Sequence, residues 1–145
     1  MIVVDTTVLV YAVGADHPLR DPCRALVAAV EAGSLRASTT IEVIQEFCHV
    51  RARRRSRSDA AALAHSYADL FSPLVVVDHD DLSAGLELFE RIEDLGAFDA
   101  VLAAAAQRRG AVALISTDAA FANVSAPRHL DPAAPDFAEK LARLG

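Results

Sequence analysis

Several chemistries that proteins commonly use have no signature in this sequence. The two cysteines, Cys23 and Cys48, make neither a disulfide framework nor a zinc pattern, and the five histidines lack metal-ligand spacing. No glycine-rich phosphate loop follows the first apolar run, and no serine or cysteine nucleophile motif is present. Zinc binding, nucleotide-cofactor binding and catalysis by a serine or cysteine nucleophile are therefore disfavoured.

The sequence also shows no pattern typical of a membrane-spanning segment or an export segment. No apolar run approaches the roughly 20 residues needed to cross a bilayer. The N-terminus has no basic region, and Asp5 lies inside the first apolar segment. We therefore expect no signal peptide and no membrane contact. With two free cysteines, a reduced and cytoplasmic setting is the default expectation.

The composition indicates a folded α/β protein. The chain has 145 residues, of which 53% are hydrophobic, and a mean hydropathy of +0.27, which is enough to bury a core. Short apolar runs alternate with helical patterns, without a repeat or a low-complexity linker. This order predicts a three-layer α/β/α fold with a parallel sheet. We expect one domain over residues 1–145, with a tail at 131–145 that contains an amphipathic stretch. The predicted strands lie at residues 2–5, 35–38, 74–77, 112–115 and 128–130.

Four acidic residues stand where such a fold would bring them together. Asp5 and Asp118 each follow an apolar run, whereas Glu46 and Asp99 lie in helical patterns. Ligands of open parallel sheets bind beyond the carboxyl ends of the strands. Carboxylates gathered there repel one another, and a raised pKa or a bound cation relieves the repulsion. Because Mg²⁺ and Mn²⁺ prefer oxygen ligands, the pattern points to a metal-dependent phosphodiester hydrolase.

Each acid also has an ordinary structural interpretation. Asp5 can cap the helix that follows it, although an ionised group at the end of a buried strand is costly unless it is satisfied, which favours a ligand role. Asp99 alone would be a helix cap or a first-turn acid, and Asp118 alone a turn residue. The acidic run at residues 78–81 is better explained as a helix-capping run than as a metal site.

Basic residues are concentrated in one segment. The net charge of −6 argues against indiscriminate nucleic-acid binding by the whole surface. A basic strip beside an acidic pocket nevertheless suits a nuclease, because it can bind the substrate backbone. The alternative, which stays open, is a solvated helix end whose arginines favour the negative end of the helix dipole. Five of the 14 basic residues fall within seven positions: Arg51, Arg53, Arg54, Arg55 and Arg57.

Four segments together resemble the PIN-domain ribonucleases, and most closely the VapC-type toxins of bacterial toxin–antitoxin pairs. None of the segments is specific alone, but their order and spacing agree across residues 1 to about 131. The resemblance implies a parallel sheet of about five strands flanked by helices. The segments are Ile2-Val3-Val4-Asp5-Thr6-Thr7, Thr40-Ile41-Glu42-Val43-Ile44-Gln45-Glu46-Phe47, Phe98-Asp99-Ala100 and Ser116-Thr117-Asp118-Ala119-Ala120-Phe121.

The resemblance also implies residue roles. Glu42 and Glu46 lie one helical turn apart, so spacing alone does not decide which of them reaches the site. Glu46, which precedes Phe47, matches the family acid, and Glu42 is an additional acid near the site. Thr6 and Thr117 would support the carboxylates or metal-bound waters. The implied catalytic residues and ligands of Mg²⁺ or Mn²⁺ are Asp5, Glu46, Asp99 and Asp118.

The implied activity is RNA hydrolysis by a metal-activated water, in a homodimer that a small VapB-like antitoxin inhibits. A standalone PIN nuclease of RNA processing remains an alternative, as does a non-catalytic module that binds RNA or a partner through the arginine run. An aspartyl-phosphate phosphatase or receiver domain also has an Asp after its first strand. That class would need a second acid where Thr7 stands and a lysine after a later strand, yet the only lysine is Lys140.

Overall fold

The computed structural model describes residues 1–145 and contains four strands and seven α-helices. The strands are β1 (Ile2–Val4), β2 (Ala37–Ser38), β3 (Ala113–Ile115) and β4 (Arg128–Leu130). The helices are α1 (Thr6–Ala12), α2 (Arg20–Glu31), α3 (Ile41–Arg54), α4 (Arg57–Leu70), α5 (His79–Arg91), α6 (Ala97–Arg108) and α7 (Phe137–Ala142). A short 3₁₀ helix spans Ala119–Asn123. No helix is both long enough and apolar enough to cross a membrane.

The strands form one parallel sheet in the order β2-β1-β3-β4. The two central strands, β1 and β3, are buried throughout, and Val4 pairs with Ile115 at their carboxyl ends. Since neighbouring strands run the same way, Asp5 and Ser116 emerge side by side at one edge of the sheet. The predicted three-layer α/β/α fold with a parallel sheet is confirmed.

The segment predicted as a strand at residues 74–77 forms only one parallel bridge, between Thr40 and Val75. The next carbonyl, that of Val76, accepts a hydrogen bond of 2.5 Å from the guanidinium of Arg109. The bridge does not continue into a ladder beyond Thr40, because Thr40 is the N-cap of α3 and the residues after it are helical. The sheet therefore has four strands rather than about five.

Helix starts differ in detail from the sequence-based expectation. The sequence Asp21-Pro22 predicts that Asp21 caps the helix that follows, but Asp21 lies inside the first turn of α2, which begins at Arg20 without a side-chain cap. Helix α6 begins at Ala97, so Asp99 is an acid of its first turn, one of the two positions expected for it. The stretch Ser38-Thr39-Thr40 predicts a cap for the next helix, and the side chain of Thr40 caps α3 by accepting a hydrogen bond from the Val43 N–H.

The core is a cluster of 31 buried hydrophobic residues, to which the tail helix α7 contributes Phe137 and Leu141. Small side chains let α5 and α6 approach closely. A Cβ placed on Gly85 of α5 would lie 2.6 Å from the Cα of Val101 on α6. The alanine-rich sequence of α6 therefore reflects tight packing between this helix and its neighbours.

Candidate active site

Asp5 lies at the junction of β1 and α1 and is almost completely buried, with 4% of its surface exposed. Its Oδ2 atom accepts hydrogen bonds from the Thr7 hydroxyl at 2.8 Å and the Ser116 hydroxyl at 2.7 Å. It also accepts a longer bond from the Thr7 N–H at 3.4 Å, which caps α1. These bonds fix the orientation of the carboxylate and offset part of its desolvation. Capping is thus compatible with a further role for the same side chain.

Glu46 lies on α3 and is linked to the start of α1. Its Oε2 atom accepts a hydrogen bond of 2.6 Å from the hydroxyl of buried Thr6. Because Thr6 directly follows Asp5, this bond brings the α3 acid to the edge of the sheet where β1 ends. The predicted supporting role of Thr6 therefore has a specific contact behind it.

All four predicted acids line one cavity of about 370 Å³, which we call the acid cavity. The end of β1, helices α3 and α6, and the turn after β3 each contribute to its wall. An adjoining apolar cavity of about 280 Å³ shares three of these acids but not Asp118. Glu46 borders both cavities, whereas Glu42 borders only the apolar one. The acids of the acid cavity are Asp5, Glu46, Asp99 and Asp118.

The electrostatics of the acid cavity centre on Asp99. Burial raises the pKa of this carboxyl, and the negative charges of Asp5, Asp118 and Glu46 raise it further, to about 7. None of the four acids forms a salt bridge with a basic side chain. The cavity therefore carries negative charge that the chain does not neutralise, a condition typical of functional sites.

The side-chain atoms around the cavity that could bind a metal suit a hard cation. They are carboxylate and hydroxyl oxygens, the ligands that Mg²⁺ and Mn²⁺ prefer, with no thiolate or imidazole among them. No three His, Cys, Asp or Glu side chains form a ready-made metal-binding group. Mg²⁺ is usually held by one or two carboxylates and keeps several waters. The residues present therefore fit a hydrated divalent ion rather than an ion enclosed by protein ligands.

Two polar residues at the site were not predicted from the sequence. Ser116 donates to Asp5 and also accepts a hydrogen bond from the Asp118 N–H at 3.0 Å, so it links two of the acids. The Thr7 hydroxyl binds Asp5 and accepts a bond of 3.1 Å from the Thr117 N–H. The available signal was their position, directly after a buried strand or in the first turn of a helix. The contact of Thr117 is through its backbone, and a role for its side chain stays a prediction.

The arginine run divides into a bound residue and exposed ones. The guanidinium of Arg51 contacts Asp59 at 2.6 Å and donates to the carbonyl of Val13 at 3.0 Å, which ties α3 to α4 and to the end of α1. Arg54 is exposed and lines the acid cavity. The other three are also exposed: Arg53, Arg55 and Arg57.

Comparison with known proteins agrees with this geometry. The family model of the PIN domain matches residues 2–127, so the chain belongs to the PIN-domain family. Ribonuclease VapC7 of Mycobacterium tuberculosis is 54% identical over 149 aligned positions, which cover 100% of this chain and 99% of that protein. Ribonuclease VapC23 of the same organism is 35% identical over 81% of this chain and 93% of its own length. Within the family, the chain is therefore of the VapC type.

Proposed function

We propose that this protein is a Mg²⁺- or Mn²⁺-dependent endoribonuclease and the toxin of a VapBC-type toxin–antitoxin pair. The observation that carries the proposal is the group of four acids, without basic partners, that lines one cavity at the carboxyl edge of the sheet. RNA is proposed as the substrate because the similar proteins are named ribonucleases.

The four acids have different proposed tasks. Asp5 and Asp99 would hold the ion directly, whereas Glu46 and Asp118 would act through water or a second ion. Asp118 orients the attacking water. A bound divalent ion lowers the pKa of a water and stabilises the charge that develops on the scissile phosphate.

The side chains of the protein orient the acids and hold a proton before the ion binds. Ser116 and Thr7 hold the carboxylate of Asp5 in a fixed direction, and Thr6 does the same for Glu46. Because the pKa of Asp99 is about 7, this carboxyl holds a proton in a large fraction of molecules near neutral pH until positive charge enters the cavity. The site is thus arranged to bind a cation in exchange for a proton.

The partner proposed for the apolar cavity is the antitoxin. Exposed apolar side chains border that cavity, among them Phe98, with 82% of its surface exposed, and Leu86, with 48%. Exposed apolar groups beside an acidic site suit a peptide that has apolar residues and a basic one. A homodimer, which the family resemblance implies, remains part of the proposal.

The function is tested by cleavage of an end-labelled, random-sequence RNA with Mg²⁺ and with a chelator. We expect cleavage with Mg²⁺ and none with the chelator. Binding without cleavage in both conditions would contradict the nuclease and favour a non-catalytic module.

The toxin assignment needs a separate measurement. Expression of the wild-type chain alone in a bacterial host should arrest growth, and Glu46→Gln should relieve the arrest. Glu42→Gln is the matched control, since it makes the same change one turn earlier on α3 and outside the acid cavity. Cleavage in vitro without growth arrest would favour a standalone nuclease.

A further inference from the structure

Helix α3 presents one row of side chains to the acid cavity. Glu46, Val50 and Arg54 follow one another at intervals of four residues, and all three line this cavity. Positions four apart lie on the same face of a helix, and eight residues rise about 12 Å. Arg54 therefore lies at the far end of the same wall, about two turns from the acid.

Arg54 differs from the other exposed arginines of the run in lining the acid cavity, whereas its exposure and its lack of a bonded partner are shared with Arg53, Arg55 and Arg57. It is exposed, and it forms neither a salt bridge nor a side-chain hydrogen bond. Arg51, in contrast, is already bound to Asp59 and to a backbone carbonyl. A neighbouring cavity is lined by Arg51, Arg54 and Arg55, but of the five arginines only Arg54 also lines the acid cavity. Arg54 is thus the one basic side chain on the wall of the acid cavity.

A single cation at this place solves a problem that the four carboxylates create. A polyanion is repelled by an acidic cavity, so a substrate phosphate needs a positive group close by. An arginine guanidinium binds phosphate through two parallel N–H···O bonds and stays charged at all relevant pH values. The cavity provides such a group at one end only.

We propose that Arg54 binds a backbone phosphate next to the scissile one, so that the RNA strand lies along α3 with one end at Glu46 and the other at Arg54. This inference rests on the proposed nuclease function and assigns its substrate-positioning residue. Arg51 instead serves the packing of α3 against α1 and α4. The exposed arginines outside the cavity contribute only to the positive electrostatic potential of the surface.

The test compares Arg54→Gln with Arg53→Gln, which removes the same charge from the adjacent position outside the acid cavity. Fluorescence anisotropy with a labelled, random-sequence single-stranded RNA is measured over a range of salt concentrations, in chelator so that no cleavage occurs. We expect Arg54→Gln to bind about tenfold more weakly than wild type and to lower the slope of log affinity against log salt by about one. Arg53→Gln should stay within about twofold of wild type.

A second readout uses cleavage in Mg²⁺. Arg54→Gln should raise KM with little change in kcat, because the phosphate contact exists before the reaction and persists through it. Arg54→Lys should recover part of the affinity, since it restores the charge but not the paired hydrogen bonds. Unchanged circular dichroism melting of the variants checks that folding is intact.

The possible results separate the two proposals. Equal RNA binding by Arg54→Gln and Arg53→Gln would overturn the role of Arg54, whether or not the wild-type chain cleaves RNA. A wild-type chain that binds RNA through Arg54 but fails to cleave it in Mg²⁺ would contradict the nuclease and leave the Arg54 contact in place.

Discussion

Two groups of acids in this molecule include buried carboxyl groups whose pKa values shift in opposite directions. In the acid cavity, burial raises the pKa of Asp99, and the neighbouring carboxylates raise it further, to about 7. At the start of α5, burial also acts to raise the pKa of Asp81, whose side chain is completely buried. Hydrogen bonds from Arg109, the Asp78 N–H and Arg108 outweigh that effect and lower the pKa to about 2.

The difference lies in the partners rather than in the acids. The carboxylate of Asp81 lies 2.5 Å from Arg108 and 2.8 Å from Arg109, which joins the start of α5 to the end of α6. Because the chain itself neutralises this group, the group is structural. The acid cavity has no such cation within hydrogen-bonding contact and is left to bind a charge from outside. The acids of the acid cavity are therefore assigned to function because no basic side chain of the chain is bonded to them.

The largest expected effect is on activity in the acid cavity. Asp5→Asn removes one charge while the amide still caps α1, and we expect RNA cleavage to fall by about 10²–10³-fold or more. Asp80→Asn is the matched control, because it makes the same change in the other acidic group. Cleavage at fixed Mg²⁺ measures both variants. Similar losses in the two variants would mean that total charge, not the cavity, controls activity.

The largest expected effect on stability lies in the other group. Asp81→Ala leaves two arginines without their buried partner and should lower the free energy of unfolding by about 3–5 kcal/mol. The wild-type contribution should be present above the unfolded pKa near 4 and be lost as pH falls through about 2, because the folded pKa is lowered. Urea unfolding at several pH values measures it. A loss below about 1 kcal/mol would show that the ion pairs are not structural.

A smaller effect tests whether α5 and α6 are also held by close packing. Gly85→Ala places a Cβ against the backbone of Val101 and should cost about 1–3 kcal/mol. Ser83→Ala, on the exposed side of α5, is the control and should change the stability little. If urea unfolding gave Gly85→Ala the same free energy of unfolding as wild type, this would contradict the close approach of the two helices.

The smallest expected effect concerns the pH dependence of Asp99. Since its folded pKa is raised from 3.8 to about 7, wild-type stability without metal should fall as pH rises between these values. Asp99→Asn should remove that fall and, because solvent screens this half-buried carboxyl, be more stable than wild type above neutral pH by about 1 kcal/mol, with no difference near pH 4. Thermal melting in chelator measures both. Parallel pH profiles would contradict the unneutralised cavity.

Local patterns predicted the elements that hold the site better than the contacts that complete it. Asp5 follows a buried apolar run, so its place at the sheet edge was available from sequence. Residues 74–77 form no full strand because the bridging partner of Val75 is Thr40, where α3 begins, and no local pattern in residues 74–77 reveals that distant partner. Spacing also left Glu42 and Glu46 equivalent, and the contact with Thr6 and the border of the acid cavity distinguish them.

The arginine run shows the same limit. Its five members are equivalent as a sequence of charges, but α3 turns Arg51 toward Asp59 and Arg54 toward the acid cavity. Which face of a helix meets which neighbour is decided by packing between distant segments. Thr7 and Ser116 were missed for a related reason, because a hydroxyl near a strand end has no signal of its own until its acceptor is placed beside it.

The proposed function requires uptake of a divalent ion by the unpaired acids, and calorimetric titration with Mn²⁺ at neutral pH measures this uptake directly. We predict binding to the wild-type chain and to Asp80→Asn, with release of a fraction of a proton from Asp99, and strongly reduced binding to Asp5→Asn. No Mn²⁺ uptake by the wild-type chain, or equal uptake after Asp5→Asn, would contradict a divalent-ion site at these acids.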